Sequence, residues 1–206
     1  MSSPETLPVA GTAVLLRDAS AGVEVLMMRR PDRGSFADAW VFPGGKVEPD
    51  DRRTDSAEVD DARRAAIRET AEEVGLAIDA LVPLSQWHPP IQAPTRIRTW
   101  FFVARAPEHA DPVATAGEVA AVSWTTPAAA LARHATGEWT LFPPTWVTLH
   151  RLAGFADVGS VMAAATAPAL FETRVIETDS GREFAWAQGR LETAVLPWRF
   201  VDAAQV

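Results

Sequence analysis

The chain reads as a mixed α/β (α+β) domain, and three observations predict it. Two apolar, β-branched runs, Pro8 to Arg17 and Val23 to Arg30, are separated by turn formers. An apolar stripe at helical spacing occupies Ala62 to Val74. Further strand-like runs then flank helices that open on proline, giving extra helices and strands toward the C-terminus.

The elements follow in order. Asp18-Ala19-Ser20-Ala21-Gly22 between the first two runs predicts a β-hairpin. A loop, Pro31 to Ala37, leads into Trp40-Val41-Phe42, a short strand ending in a Pro43-Gly44-Gly45 turn. A helix is expected from Asp55 or Ser56, because Asp55 and Glu58 have capping-box spacing. Ala62, Ala66, Ala71 and Val74, with Ile67 beside them, are its apolar stripe, and Gly75 is placed to stop it. Leu76 to Trp87, Arg96 to Ala104 and Val119 to Trp124 read as strands. Thr126-Pro127 opens a helix to His134, and Pro143-Pro144-Thr145 opens another through Leu152. Glu172 to Phe200 alternates as two strands paired around Asp179-Ser180-Gly181. The reading is one unit over 1–206, with a helical extension at about 127–170 and a C-terminal strand segment at 171–206.

Composition excludes several functions. A net charge of −8 is wrong for a protein held on nucleic acid by a basic surface, since few phosphate counterions would be released. The absence of cysteine removes disulfides, thiol nucleophiles and Cys-based zinc sites. His88, His109, His134 and His150 show no ligand spacing. The N-terminus lacks the basic and apolar regions of a secretory signal, and the alanine-rich stretch from Val158 to Leu170 is too short and too weakly apolar to span a bilayer. A cytoplasmic protein without membrane or nucleic-acid partners is expected.

The chemistry concentrates in Arg68-Glu69-Thr70-Ala71-Glu72-Glu73-Val74-Gly75-Leu76. On a helix Glu69, Glu72 and Glu73 stand at i, i+3 and i+4 and project from one face. Three clustered carboxylates repel one another unless cations lie among them, and hard divalent ions take such oxygen-only sets. Alone, an acidic helix face is most often just solvated. Here it follows Gly44-Gly45, a pair that lets backbone groups approach a metal or phosphate closely.

Together these segments resemble the Nudix box, G-x5-E-x7-R-E-U-x-E-E-x-G-U, where U is bulky and apolar. Gly45 matches its first position, and Arg68, Glu69, Glu72, Glu73, Gly75 and Leu76 match its second half. The chain departs from the pattern at Asp51, which stands in place of Glu, and at Thr70, which stands in place of a larger aliphatic. The stretch from Gly45 to Arg68 is also nine residues longer than in the standard box.

The resemblance implies a mixed sheet sandwiched between helices and a hydrolase that cuts a diphosphate linkage in a small nucleotide-like substrate. It implies Mg²⁺ or Mn²⁺ held by Glu72, Glu73, Glu69 and the carbonyl of Gly44. Glu69 would be a ligand or the base that activates water, and Arg68 would orient the carboxylates. Some relatives add a glutamate from a loop outside the box, a place that Glu118 could fill. Family habit adds a homodimer as an option.

The lengthened box is similar to that of the subgroup related to peroxisomal acyl-CoA diphosphatases. So are Val25 to Arg30 leading into Trp40 to Gly45, Trp124-Thr125-Thr126-Pro127, and Pro143-Pro144-Thr145 with Leu149 and Leu152. The substrate implied is CoA or an acyl-CoA, whose 3′-phosphate calls for arginines. Arg29, Arg30 and Arg33, with Gly45, form the nearest candidate substrate-binding group, and Arg96 and Arg98 form a second. The shorter CoA signature of another Nudix subgroup is not intact in this chain. Trp87 and Trp100-Phe101-Phe102 could stack on a base, although aromatics on strands are more often core. ADP-ribose, NADH, a dinucleoside polyphosphate or an oxidised nucleotide are the alternative substrates. A nucleotide-sensing module without catalysis is the alternative class, against which the three intact glutamates count.

Overall fold

A computed structural model of the chain describes residues 7–34 and 36–203. The first six residues, part of the segment read above for a targeting signal, and Ser35 of the 31–37 loop lie outside the described residues.

The first hairpin forms as expected. Strands β1 (Val9–Ala19) and β2 (Gly22–Arg29) pair antiparallel around Ser20-Ala21, with Leu16 opposite Val25. β3 (Trp40–Val41) adds to the end of β2. Gly44–Lys46 form β4, antiparallel to β1, so the expected Pro-Gly-Gly turn is instead a strand. The reason lies in what packs against it. A Cβ at Gly11 would stand 1.8 Å from the Ala62 carbonyl oxygen, and one at Gly45 would stand 2.1 Å from a Glu69 carboxylate oxygen. Gly11 and Gly45 are directly opposed on the two strands, so the backbone is bare where the long helix crosses it.

That helix, α1 (Glu58–Val74), begins later than the Asp55 cap predicts. Asp55 sits at φ +60°, Ala57 is the N-cap, and no side chain caps the helix. Glu58 does not turn back to cap: its carboxylate instead accepts hydrogen bonds from Arg98, Trp100 and Gln86 of the neighbouring strands. The helix ends as expected, with Gly75 at φ +70° and its N–H bonded to the Ala71 carbonyl at 3.1 Å. Its buried stripe is Ala62, Ala65, Ala66, Thr70 and Val74, whereas Ala71 faces solvent. Thr70 tolerates full burial because its hydroxyl donates to the Ala66 carbonyl at 2.7 Å.

The remaining strands of the sheet are β5 (Val82–His88), β6 (Arg98–Arg105), β7 (Ala121–Thr125) and β8 (Ala169–Glu172). The order is β3-β2-β1-β6-β5-β8, with β4 on β1 and β7 on β2; β1–β6 and β5–β8 run parallel. The strand expected from Leu76 begins only at Val82. Leu76, Ile78 and Leu81 are apolar because they pack in the core with α1, and the Leu81 carbonyl is taken by Arg63 rather than by a strand.

α1 covers one sheet face, packing Ala62, Ala66 and Val74 on Ala13, Leu15, Leu26, Met28 and Phe102. The other face is covered by α2 (Pro127–Ala135), α3 (Pro143–Leu152) and α4 (Val158–Ala164). α2 and α3 begin where Thr126-Pro127 and Pro143 predict, and the Thr126 hydroxyl accepts from the Ala129 N–H at 3.2 Å. The mixed sheet therefore lies between helices, as the resemblance implied.

The C-terminal segment forms four strands rather than two: β9 (Arg174–Thr178), β10 (Gly181–Trp186), β11 (Gly189–Glu192) and β12 (Arg199–Asp202), in the order β12-β11-β10-β9. The hairpin around Asp179-Ser180 is the one expected. The additional pairings rest on a close backbone approach at Gly189, where a Cβ would meet the Val201 carbonyl oxygen at 2.3 Å. Trp186 and Leu191 join this sheet to the core, Trp186 meeting Trp87 edge-to-face at 5.6 Å. Among the described residues no helix is long and apolar enough to cross a membrane.

Candidate active site

The last two turns of α1 run along β4, and the carboxylates divide unequally between protein and solvent. The side chains of Glu73, Glu69 and Glu72 are 4%, 17% and 53% exposed. Helical spacing puts all three on one side, but β4 lies against Glu69 and Glu73 only.

Glu73 is held from two directions. The Gly44 N–H donates to its Oε2 at 2.8 Å and Arg30 Nη1 donates to its Oε1 at 2.8 Å. The ladder bonds of β4, Ala13 N–H to the Pro43 carbonyl and Val47 N–H to the Val9 carbonyl, leave the intervening Gly44 amide turned away from β1. Burial pushes the Glu73 carboxyl up to about 7, against the lowering effects of Gly44 and Arg30 and with help from the charges of Glu69 and Glu118. Glu69 is likewise raised, first by burial, although Arg68 pulls the other way.

Arg68 ties the remaining acids together. Nη1 donates to Glu69 and Glu72 at 2.9 Å each, Nη2 to Asp51 at 2.9 Å and to the Lys46 carbonyl at 3.1 Å, and Nε to Asp51 at 3.2 Å. Asp51 is only 4% exposed and closes a three-residue 3₁₀ turn, Pro49–Asp51. Burial alone would raise its carboxyl. Hydrogen bonds from Arg68 and the Glu48 N–H, with the charges of Arg68 and Arg64, hold it below the usual range. The inserted stretch joins the same framework: Arg64 donates to the Asp51 carbonyl at 2.6 Å and to Ser56 Oγ at 2.7 Å.

A second loop closes over the C-terminal end of α1. The Thr115 and Val113 N–H groups donate to the carbonyls of Glu73 and Val74 at 3.1 and 3.0 Å, and the Thr115 hydroxyl donates to the Glu72 carbonyl. These bonds serve carbonyls that a helix end leaves unpaired. They also bring exposed Glu118 near enough to act on Glu73 electrostatically. Arg33 Nη2 anchors this loop through the Gly117 carbonyl at 2.9 Å.

The candidate arginines thus occupy different places. Arg30 and Arg33 have partners inside the protein, Arg98 is paired with Glu58, and Arg29 is exposed with no ion pair among the described residues. Trp87, Phe101 and Phe102 are 3%, 5% and 0% exposed and belong to the core. Sequence reasoning assigned no role to Asp51 and none to Thr115. Asp51 stands at the box glutamate position, a signal that could have found it; Thr115 carries no motif.

The donor set suits a hard divalent cation. It consists of oxygens alone, two of the carboxyls are raised chiefly by burial, and a cation would offset that desolvation and the smaller repulsion among the neighbouring acids. Among the described residues no three acidic or imidazole groups already converge as a metal site, because Arg68 and Arg30 hold the carboxylates.

Gly45 gives a direct test of this packing. Gly45→Ala places its methyl inside the Glu69 carboxylate, which can swing aside, whereas the backbone cannot. We expect a stability loss of only about 1 kcal/mol by thermal or urea unfolding, with catalysis falling about a hundredfold as Glu69 is displaced. Near wild-type turnover would show that Glu69 need not lie against β4.

A strand–glycine–helix arrangement presenting carboxylates at this spacing defines a class of protein, and comparison with known families agrees. The NUDIX domain family matches residues 7–144, two thirds of the chain, and the chain belongs to that family. A CTP pyrophosphohydrolase of Escherichia coli K12 is 36% identical over 64 residues, which span 31% of this chain and 38% of that protein. Among solved structures, a Nudix hydrolase from Alicyclobacillus acidocaldarius superposes with a TM-score of 0.69 at 21% identity, covering 80% of this chain and 97% of the other. The Nudix domain of Shewanella oneidensis NrtR, solved with ADP ribose, superposes with a TM-score of 0.55 at 16% identity, covering 71% and 86%. At these identities the two structures speak for the fold alone. Members of the family generally use divalent metal ions.

Proposed function

We propose that the chain hydrolyses the diphosphate linkage of CoA or an acyl-CoA, giving 3′,5′-ADP and the 4′-phosphopantetheine half. The observation that carries the hydrolase reading is the desolvated Glu69 and Glu73 pair laid against β4. Burying two carboxyls together disfavours folding, and perturbed carboxyls of this kind cluster at functional sites. The substrate reading rests on the lengthened box. Its insertion is bonded into the framework through Arg64, and the Arg68-to-Glu73 segment stays helical within α1.

Glu72, Glu73, Glu69, the Gly44 carbonyl and Glu118 would hold the metal. Mg²⁺ or Mn²⁺, when bound, neutralises the diphosphate and makes a coordinated water acidic. Glu69, with its raised carboxyl beside Arg68, takes the proton from the attacking water. Arg30 and the Gly44 N–H fix the Glu73 carboxylate, and Arg68 fixes Glu69 and Glu72, so little reorganisation remains for the chemical step.

The test is product mass analysis with Mg²⁺ or Mn²⁺ over CoA, acetyl-CoA, a long-chain acyl-CoA, NADH, ADP-ribose, a diadenosine polyphosphate and CTP. The last is included because of the CTP pyrophosphohydrolase similarity. We expect 3′,5′-ADP from the CoA compounds to form fastest. Preference for NADH, ADP-ribose or CTP would keep the hydrolase and reject the substrate. Absence of turnover throughout would favour a nucleotide-sensing module.

A further inference from the structure

We propose that Thr115 is a positioning residue of the metal centre. Its hydroxyl and its amide lock the main chain of Glu72 and Glu73, and its carbonyl starts the turn that presents Glu118. This rests on the reading of these glutamates as metal ligands.

A helix leaves its last four carbonyls without intrahelical partners, and such ends fray. In α1 the Ala71 carbonyl is taken by the Gly75 N–H at 3.1 Å, which leaves those of Glu72, Glu73 and Val74. Two of these three carbonyls belong to residues whose side chains would hold the metal. The need is greatest at Glu72, whose carboxylate is 53% exposed and gains little support from packing.

One short segment supplies all three donors. The Val113 N–H bonds to the Val74 carbonyl at 3.0 Å and the Thr115 N–H to the Glu73 carbonyl at 3.1 Å, and the Thr115 hydroxyl bonds to the Glu72 carbonyl. Thr115 alone therefore serves both ligand residues. Its own carbonyl accepts from the N–H groups of Glu118 and Val119 at 3.1 and 3.0 Å. The turn so closed has Gly117 at φ +87° in its third position, a conformation that glycine adopts without strain. Arg33 braces this turn through the Gly117 carbonyl at 2.9 Å, and buried Val119 anchors its far end in the core beneath α1. Thr115 thus joins three acids from two segments that lie 43 residues apart. Were nothing at stake in that last turn, the hydroxyl would be an ordinary helix cap. Ligand geometry, however, has to hold within about 0.5 Å, and the main chain of the last turn sets where Glu72 and Glu73 begin.

The test is Mn²⁺ binding, followed by electron paramagnetic resonance without substrate, in the wild type, Thr115→Val and Thr115→Ser. Amide hydrogen exchange of the metal-free proteins accompanies it. Valine keeps the backbone amide and the shape and removes only the hydroxyl, and Thr115 is partly exposed, so the core is untouched. We expect Thr115→Val to weaken Mn²⁺ about tenfold, as loss of a ligand-orienting partner does. Its amides from Glu72 to Gly75 should exchange faster in the metal-free protein, and Thr115→Ser should restore both readouts. At saturating metal the substrate KM should not change, since Thr115 acts on the ligands and does not touch substrate. A merely stabilising cap would lower the urea midpoint of Thr115→Val and leave its Mn²⁺ affinity at the wild-type level; that affinity would overturn the proposal. A wild type that binds no Mn²⁺ would reject the ligand assignment and the proposal with it. Failure of the hydrolase reading looks different: the wild type binds Mn²⁺, valine weakens it, and no compound of the substrate panel is cleaved.

Discussion

Glu73→Gln will abolish hydrolysis while leaving the metal-free protein folded and, above pH 7, more stable than the wild type. The activity loss should exceed about a thousandfold at saturating Mg²⁺, because the amide keeps the shape of the carboxylate but not its charge. The stability gain follows from linkage. The Glu73 carboxyl is raised to about 7 in the folded chain, against an ordinary value of 4.5, so folding favours its protonated form. That favourable contribution is complete below pH 4.5 and is lost as pH rises through 7. Glutamine never incurs the loss. The full linkage is about 3 kcal/mol; Arg30, deprived of a charged partner, trims the gain to about 1–2 kcal/mol. Urea unfolding with a chelator at pH 8 and at pH 5 checks this: the variant should be ahead at pH 8 and level at pH 5. Turnover at the wild-type rate would sink the assignment of Glu73.

Arg68→Ala should be the most destabilising single change in the site. It removes hydrogen bonds to Asp51, Glu69, Glu72 and the Lys46 carbonyl at once, and it strands Asp51, which is 4% exposed. Breaking a buried pair from one side costs about 3–5 kcal/mol, and a ligand-orienting partner is worth about ten- to a hundredfold in activity. Arg68→Lys should recover little of either, since an ammonium cannot bridge three carboxylates as a planar fork does. Asp51→Asn is the milder comparison, keeping hydrogen-bond capacity without charge. The Arg68 deficit should persist across the working pH range, because its neighbours raise the guanidinium further and it never titrates there. An Arg68→Ala protein that unfolds within about 1 kcal/mol of the wild type would show that Asp51 finds water or another partner.

How far the chain can be read in advance depends on the range over which each cause acts. Thr126-Pro127, Pro143 and Gly75 act within a turn of backbone, and the helix boundaries they imply match the structure. Asp55 fails for the opposite reason: Glu58, its supposed capping partner, answers to Arg98 and Trp100, 40 and 42 residues away. Leu76 to Leu81 imitates a strand because closely spaced apolar residues packed against a helix read like the start of one. Gly44-Gly45 reads as a turn because the helix that demands bare backbone there is distant in sequence.

The sequence by itself determined the family and the three carboxylates on one side of a helix, since a period of 3.6 residues leaves them no other arrangement. Only the tertiary structure decided which of them are desolvated and what holds each one. Glu73 meets Gly44 and Arg30, 29 and 43 residues away; Glu69 lies on Gly45; Asp51 faces Arg68 across the insertion. Residue spacing states which side of a helix a group occupies. What that side meets is set by chain crossings that leave no local signal, and burial against those crossings is what moves the carboxyls from ordinary surface acids toward a reactive site.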